Sequence, residues 1–314
     1  MGKLSRPRFG SLQFWPRKRA VKQIPSVNWS TIKSSSPLTG FITYKVGMAT
    51  AVVKDMTDKS MTANKKIFIP VTILEAPNMK IFSVRFYNKG KVAKDIVVSA
   101  DSDLKTKLNV PKSAKELKAP EQFDDVRVIA YSIAKQTNFK KTPDVIELDI
   151  GADSPDKKLE IVKGLIGKEF SVQEFLKDKL LDIRSLTKGH GFSGPVKRFG
   201  ITLKGHKSEK GVRRPGSLAP WHPARVTFRT PMAGQLGMFS RVQYNSQVIT
   251  SGSIKEKDIN PKHGFRQFGK INSNYIILKG SVHGPQKRQV LVTPSFRPTK
   301  EQAKKKYEFV ELLI

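Results

Sequence analysis

The sequence contains no cysteine among its 314 residues. Disulfide frameworks, thiolate metal sites and cysteine nucleophiles are therefore excluded. Long apolar runs are missing as well: no stretch approaches the roughly 20 consecutive apolar residues that span a bilayer. The basic N-terminus is not followed by the apolar core of a signal peptide. These absences predict a cytosolic chain without a membrane anchor.

Acidic residues are the second scarcity, and they are unevenly distributed. The chain carries 58 Lys and Arg against 26 Asp and Glu, a formal net charge of +32. Residues 1–54 contain ten basic residues and no acidic one, and residues 183–255 contain 13 basic residues and only Glu209. Residues 55–182 hold 23 basic and 20 acidic residues, the balance of an ordinary globular surface. The two cationic segments therefore predict a polyanionic partner, either nucleic acid or an anionic membrane surface.

Aromatic residues interleave with arginine in the first cationic segment. Residues 6–29 include three prolines and no helical or strand periodicity, which is typical of a disordered tail. The same stretch includes Phe9, Phe14, Trp15 and Trp29, whose rings are costly to leave in water. Rings and guanidinium planes both stack on bases, while Lys and Arg neutralise phosphates. An extension that becomes ordered on RNA accounts for this composition better than a free tail does.

Hydrophobic periodicity predicts a mainly β chain with an α/β middle, and the length suggests roughly two domains. Residues 41–54 predict strand, turn and strand, with Gly47 as the turn or as a bulge. One helix is expected to begin at Ser154-Pro155, with Ser154 at the N-cap, and a second helix is expected to start at Ser171. Further strands are predicted at 67–76, 81–88, 126–134, 144–151, 224–229, 274–282, 288–294 and 307–314. Strands on both sides of a mixed middle suggest a β-barrel or sandwich interrupted by an inserted domain.

The stretch between Lys188 and Pro223 has almost no periodicity over 36 residues. Unstructured loops of this length are rare in compact domains unless they are functional. Trp221 stands between Pro220 and Pro223 instead of in an apolar run. Clustered cations favour binding to phosphates but do not specify a nucleotide sequence. Glycines allow the protein backbone to pass closely through RNA. We expect a finger that doubles back and threads through RNA; the alternative is a solvated charged face.

Signals for catalysis and metal binding are weak. Residues 189–194, GHGFSG, satisfy G-x-G-x-x-G, but dinucleotide binding requires a helix to begin there, and none is expected once Pro195 follows. His190, His206 and His222 are each 16 residues apart, which is no metal-ligand spacing. Paired acids fall in loop-like surroundings. We expect no catalytic residue, no metal and no cofactor.

Several long motifs resemble one protein family. They are SLQFWPRKRA near the start, GHGFSGPVKRFG, SEKGVRRPGSLAPWHPARV followed by MAGQLGMFSR, and KGSVHGPQKRQVL at 279–291. In this order they are similar to the ribosomal protein L3 family of the large subunit, in its archaeal and eukaryotic branch. The resemblance runs from about residue 5 to about residue 300.

The resemblance implies a mainly β fold with a translation-protein-like β-barrel core and an inserted α/β subdomain. It also implies a basic N-terminal extension and a finger within the core. The expected boundaries are 1–37 for the extension, 38–90 and 180–300 for the core, 91–179 for the insertion, 188–223 for the finger and 301–314 for a C-terminal strand.

The function implied is that of a structural protein, not an enzyme. Family members bind large-subunit rRNA early in assembly, lie near the elongation-factor-binding region and send both extensions toward the peptidyl-transferase centre. The partners implied are rRNA and neighbouring large-subunit proteins in the cytoplasmic ribosome, with no membrane and no small-molecule substrate.

The resemblance also assigns the RNA-binding residues. Trp221 matches the fingertip tryptophan, with His222 and Arg225 alongside. One departure lies at Ser208-Glu209-Lys210-Gly211, where eukaryotic members have Thr-His-Arg-Gly, so a histidine modification is excluded there. The assigned set is Arg6, Arg8, Trp15, Arg17, Lys18 and Arg19 in the extension, and Lys197, Arg198, Lys207, Lys210, Arg213, Arg214, Trp221, His222 and Arg225 in the finger.

Two other functions stay open at this point. An RNA-modifying enzyme with a basic face needs a constellation of pocket residues, which the motifs do not supply. A generic RNA-binding chaperone or chromatin protein predicts charge spread along low-complexity repeats, whereas here the charge is concentrated around aromatic residues.

Overall fold

The computed structural model describes residues 10–32 and 36–314. The chain divides into two compact units. We call residues 10–22 and 186–240 the basic unit, and residues 23–32, 36–185 and 241–314 the sheet unit.

The described residues form a mainly β structure with four short α-helices. The strands are β1 (Phe41–Asp55), β2 (Lys66–Ala76), β3 (Met79–Asn88), β4 (Lys91–Val97), β5 (Asp125–Ser132), β6 (Val145–Leu148), β7 (Leu180–Leu186), β8 (Phe192–Ser193), β9 (Gly234–Gln235), β10 (Ser240–Ser253), β11 (Asn274–Lys279), β12 (Gln289–Pro294) and β13 (Tyr307–Leu313). The helices are α1 (Pro155–Leu165), α2 (Val172–Phe175), α3 (Pro195–Phe199) and α4 (Lys300–Lys304). Single 3₁₀ turns cover Trp29–Thr31, Ser102–Thr106 and Ala134–Gln136.

Six strands of the larger sheet form a closed ring of hydrogen-bonded neighbours. The order is β12-β7-β10-β11-β2-β1, and β1 pairs again with β12. β1 is long enough to serve three partners: Phe41–Tyr44 pair with β12, Thr50–Asp55 pair with the edge strand β13, and β2 runs along most of the other side. The ring leaves β13 as the free edge of this sheet.

The smaller sheet has the order β4-β3-β5-β6 and shares a core with the larger one. Leu278 of β11 and Val84 of β3 belong to the same buried apolar cluster. A buried polar contact joins the two sheets as well: the Tyr44 hydroxyl donates to Asp144 Oδ2 at 2.8 Å and lies 2.7 Å from Ser132 Oγ. Burial and the neighbouring Asp144 carboxylate raise the pKa of Tyr44, so this hydroxyl stays protonated and keeps its donor.

Helix α1 covers one face of the smaller sheet with Val162 and Lys158. Ser154 and Pro155 begin it as predicted, although the Ser154 side chain makes no cap hydrogen bond. Lys158 Nζ lies 2.6 Å from Asp125 Oδ1 and 2.6 Å from Asp149 Oδ1, so a buried ammonium is shared between two carboxylates.

Several predicted elements differ from the structure. Residues 41–55 form one strand, not two with a turn, and Gly47 marks a bulge where the register with β2 shifts. The helix after Ser171 is a single turn, because the chain leaves it at Leu176 and enters β7. No strand forms at 224–229, where the residues are mostly exposed and have no pairing partner.

Four strands were not predicted, namely β4, β10 and the two-residue strands β8 and β9, and one helix was wrongly excluded. β10 is the second longest strand, but its sequence SRVQYNSQVITSGS is too polar to give a strand signal. β4 is likewise mostly exposed. Helix α3 begins directly at Pro195, which is a favoured first helical residue. The dinucleotide motif still fails, since β8 is two residues long and pairs antiparallel with β9 instead of starting a parallel βαβ unit.

Candidate nucleic-acid interface

The basic unit concentrates positive charge far beyond what its own acids can neutralise. Residues 10–22 and 186–240 contain fourteen Lys and Arg and a single acidic residue, Glu209. In the sheet unit, by contrast, ion pairs such as Arg85–Asp95 and Arg127–Asp125 bring opposite charges to 2.8 and 3.0 Å. The excess in the basic unit is therefore available to an external anion.

An antiparallel stem forms the base of this unit. Phe192 pairs with Gln235 and Ser193 with Gly234. The backbone continues the pairing at 187–191 with 236–239, where His190 N donates to Leu236 O at 2.9 Å. Gly237 has a φ of +77° and lies against the opposite chain so closely that a Cβ would collide with the Lys188 carbonyl oxygen. Only glycine satisfies both conditions at this position.

Helix α3 packs on the stem through Arg198. The helix runs from the N-cap Gly194 to Gly200, which ends it in the left-handed conformation at φ +70°. Arg198 Nε donates to Gln235 O at 3.0 Å, and its Nη1 donates to Met232 O at 2.9 Å. Burial without a carboxylate partner lowers the pKa of Arg198. Its guanidinium thus holds the returning strand and is not the most accessible cation of the finger.

Residues 10–22 pack on the stem and helix through a stack of rings and guanidinium groups. The Arg17 guanidinium carbon lies 4.6 Å from the centre of the Phe199 ring and 5.2 Å from that of Trp15. The Trp15 ring in turn meets Phe228 edge to face at 5.2 Å. The complete set of contacts runs in the order Arg229, Phe228, Trp15, Arg17, Phe199 and Arg198, with the two rings Phe228 and Trp15 adjacent. Each cation–π contact contributes about 0.5–1 kcal/mol when partly exposed.

A backbone bond adds to this stack. Ala20 N donates to Met238 O at 2.9 Å, so the N-terminal segment adds to the returning strand of the stem. Gly10 lies against Phe199 and Arg17 with no room for a Cβ. The two cationic segments, separated by more than 160 residues in the sequence, therefore form one unit.

Residues 200–233 form a long loop with mostly exposed side chains. Few internal bonds organise it: Lys204 N donates to Val212 O at 3.0 Å, and Thr230 Oγ1 donates to Leu218 O at 2.9 Å. Trp221 is 88% exposed, and its ring contacts that of His222 edge to face at 6.3 Å. Both faces of an indole with this exposure are largely accessible to solvent.

The predicted RNA-binding residues fall into three groups. Arg6 and Arg8 lie outside the described residues. Trp15, Arg17 and Arg198 are partly buried and stabilise the unit through the stack. The remaining members are exposed: Lys18, Arg19, Lys197, Lys207, Lys210, Arg213, Arg214, Trp221, His222 and Arg225. Their contact with RNA stays a prediction.

Phe199, Phe228 and Arg229 were missed by the sequence analysis although they complete the stack. A signal for them exists, because Arg198-Phe199 and Phe228-Arg229 are adjacent cation–aromatic pairs in the sequence. Which of these pairs contacts Trp15 depends on a contact between residues that are far apart in the sequence. Composition does not specify such a contact.

The described ranges contain neither a candidate metal cluster nor a candidate membrane-spanning helix. No three His, Asp or Glu side chains there lie close enough together to hold a metal ion. No helix of residues 10–32 and 36–314 has the length and apolar character of a bilayer-crossing segment.

The fold and the charge distribution together define a mainly β protein that carries a segregated cationic unit. The chain belongs to the ribosomal protein L3 family, whose sequence profile matches residues 1–107 and 89–312.

Its relatives include three archaeal proteins named large ribosomal subunit protein uL3. That of Methanococcus aeolicus is 37% identical over 309 residues, covering 94% of this chain and 92% of the relative. That of Methanococcus vannielii is 37% identical over 319 residues, covering 96% and 94%. That of Methanosphaera stadtmanae is 36% identical over 314 residues, covering 94% and 93%. The family resemblance found in the sequence motifs is thereby confirmed.

Proposed function

We propose that the chain is a structural component of the large ribosomal subunit that binds large-subunit rRNA through its basic unit. The observation that carries this proposal is the ratio of fourteen cations to one acid in a unit that belongs to a ribosomal protein family. Since such an excess of charge repels itself in water, an RNA phosphate backbone is the partner that stabilises it. The protein acts in the cytoplasmic ribosome and contacts neighbouring large-subunit proteins.

Individual parts of the chain have separate roles within the proposed function. The closed ring of six strands serves as a translation-protein-like β-barrel, and the smaller sheet with α1 serves as the inserted subdomain. Residues 1–37 act as the N-terminal extension and 188–223 as the finger. Both reach toward the peptidyl-transferase centre, and the protein supports early assembly of the subunit. It does not catalyse a reaction.

Salt dependence tests the electrostatic part. Each phosphate contact contributes about 0.7–0.9 to the slope of log affinity against log salt. We expect the full chain to bind a large-subunit rRNA fragment with a steep slope. Replacing Lys207, Lys210, Arg213 and Arg214 by glutamine should reduce that slope by about 3. A matched variant with exposed Lys91, Lys112, Lys115 and Lys118 changed to glutamine should keep the slope.

Cross-linking in cells tests the identity of the RNA. Ultraviolet irradiation followed by mapping of the RNA attached to the Trp221 peptide should recover large-subunit rRNA near the peptidyl-transferase centre. Adducts scattered over many RNAs would instead identify a generic RNA-binding chaperone. A flat salt response together with no adduct would overturn RNA binding by this unit.

A further inference from the structure

The sheet unit contains a groove that joins residues from distant parts of the chain. Two adjoining cavities, of 450 and 610 Å³, share Asp178 and Lys179 in their walls. The first is also lined by Lys177, Lys305 and Lys306 and by the 247–251 segment of β10. The second is mostly apolar and is lined by Thr31, Leu180, Pro294, Ser295, Phe296, Pro298 and Ala303. We call the two cavities together the lysine groove.

The charge of the groove is strongly positive. Four lysines and one carboxylate, Asp178, line the first cavity. Lys179, Lys305 and Lys306 are exposed, and none of the three forms an ion pair with any residue of 10–32 or 36–314. Sequence analysis did not find this cluster because Lys177 and Lys179 lie in the charge-balanced middle of the chain, more than 120 residues before Lys305.

The backbone carbonyls of Lys179 and Lys305 are both anchored to β10. Val248 N donates to Lys179 O at 2.9 Å. Gln247 Nε2 donates to Lys305 O at 2.8 Å. The fold therefore brings the backbones of Lys179 and Lys305 to neighbouring residues of one strand. The lysine side chains line one cavity, where a bound anion reduces the repulsion among their like charges.

An aromatic side chain lines the second cavity at a fixed position. Phe296 is 41% exposed. Its backbone N donates to Asp182 Oδ2 at 2.9 Å, and the other oxygen of this fully buried carboxylate accepts from Asn245 N at 2.9 Å. The Arg297 guanidinium carbon lies 5.0 Å from the ring centre. The backbone of Phe296 is thus anchored to a buried carboxylate, and its half-exposed ring lies beside a cation.

We propose that the lysine groove binds single-stranded RNA, with phosphates on the lysines and one unpaired base against Phe296. Sites for single strands combine a cationic path for the backbone with aromatic side chains on which bases stack. The second cavity combines the Phe296 ring with polar side chains such as Thr31 and Ser295, which suits the flat face and polar edge of a base that has left its helix. The proposal rests on the proposed function in that the RNA is ribosomal, but the groove is separate from the basic unit and can be tested separately.

Photo-cross-linking of the purified full chain to a ten-nucleotide oligouridine tests the groove. We expect nucleotide adducts on the peptide containing Phe296 as well as on the peptide containing Trp221. Changing Lys305 and Lys306 to glutamine should lower the Phe296 adduct about tenfold and leave the Trp221 adduct unchanged. The matched variant Lys89→Gln, Lys91→Gln, altered at the β3–β4 turn, should retain both adducts.

Lysine footprinting measures the contribution of the ring. Oligouridine should protect Lys305 and Lys306 from acetylation, and Phe296→Leu should raise the concentration for half-protection about tenfold, because leucine fills the space but cannot stack. Phe68→Leu, at an exposed phenylalanine of β2, is the control. A melting temperature equal to that of the wild type confirms that each variant is folded.

The outcomes separate this inference from the proposed function. Adducts at Trp221 with none at Phe296 and no lysine protection would overturn the groove and leave the basic unit as the RNA site. Equal protection by a ten-base-pair duplex would overturn the role of the unpaired base. Absence of adducts from both peptides would count against RNA binding altogether.

Discussion

The sheet unit and the basic unit are stabilised by different interactions. In the sheet unit, large side chains such as Phe41, Tyr44 and Phe86 are fully buried, and charged residues pair with one another. Among the described residues of the basic unit, the buried apolar side chains are Leu186 and Phe199. Its stability comes from the stem, the stacked rings and Arg198. The sheet unit therefore has a buried apolar core and paired charges, whereas the basic unit keeps an excess of positive charge that its own acidic residues do not neutralise.

This comparison predicts the largest stability effects in the sheet unit. Phe41 has no exposed surface, and its ring centre lies 5.9 Å from that of Phe175. Phe41→Ala removes these contacts and leaves a cavity, so it should lower the free energy of unfolding by about 3–5 kcal/mol. Urea unfolding followed by circular dichroism measures the change. A loss below about 1 kcal/mol would mean that the larger sheet is not the stable core.

The shared ammonium of Lys158 gives the next largest effect. Lys158→Met leaves Asp149 without its cation and leaves Asp125 with Arg127 alone, and it should cost about 3 kcal/mol. Lys157→Met, one position away and exposed, is the control and should change the free energy of unfolding by less than about 0.5 kcal/mol.

The pH dependence of the same pair has a defined sign. Hydrogen bonds and charge attraction from Asp125 and Asp149 raise the pKa of Lys158 against the opposing effect of burial. A raised pKa contributes stability that is complete below the ordinary lysine value of 10.5 and is lost as pH rises through the higher folded value. The difference in unfolding free energy between wild type and Lys158→Met should therefore shrink above pH 10.5. A constant difference from pH 8 to pH 12 would contradict this assignment.

The sheet unit was also the more predictable half of the molecule. β2, β3, β11 and β12 follow from β-branched or alternating sequences that are buried on at least one face, and β13 follows from an alternating sequence that is partly buried on one face. β10 was not predicted because its extended conformation is stabilised by pairing with β7 and β11 and is not indicated by its own polar sequence. The opposite holds at 224–229. The residues suit a strand, but no strand forms because they have no pairing partner.

For the candidate interface, composition predicted the segments but not their contacts. The exposed cations and Trp221 follow from charge and from the flanking prolines. The packing of Trp15 and Arg17 on Phe199 and Phe228 does not, because it joins residues that are far apart in sequence and similar in type to their exposed neighbours. Arginine in a basic run gives no indication of whether its head group stacks on a protein ring or remains available to a phosphate.

A smaller effect should come from the stack that holds residues 10–22. Arg17→Ala removes the cation between Trp15 and Phe199 and costs about 1 kcal/mol locally. Global unfolding should not change, because the sheet unit carries that transition. Hydrogen exchange of the Ala20 amide, which donates to Met238 O, should become about fivefold faster. Arg19→Ala, at an exposed neighbour, should exchange like the wild type; an equal acceleration in both variants would rule out the stack as the cause.

The smallest stability effect should be at the most exposed ring. Trp221 is 88% exposed, so Trp221→Ala should change the free energy of unfolding by less than about 0.5 kcal/mol. Trp29, which is 4% exposed in the sheet unit, provides the matched comparison, and Trp29→Ala should cost about 3–5 kcal/mol. Cross-linking to RNA should show the opposite order from stability. It should be lost in Trp221→Ala and kept in a folded Trp29→Phe variant. If Trp221→Ala instead destabilised the free protein as much as Trp29→Ala, the indole would be a core residue. The contrast between a sheet unit stabilised by a buried core and a basic unit with exposed side chains would then not hold for Trp221.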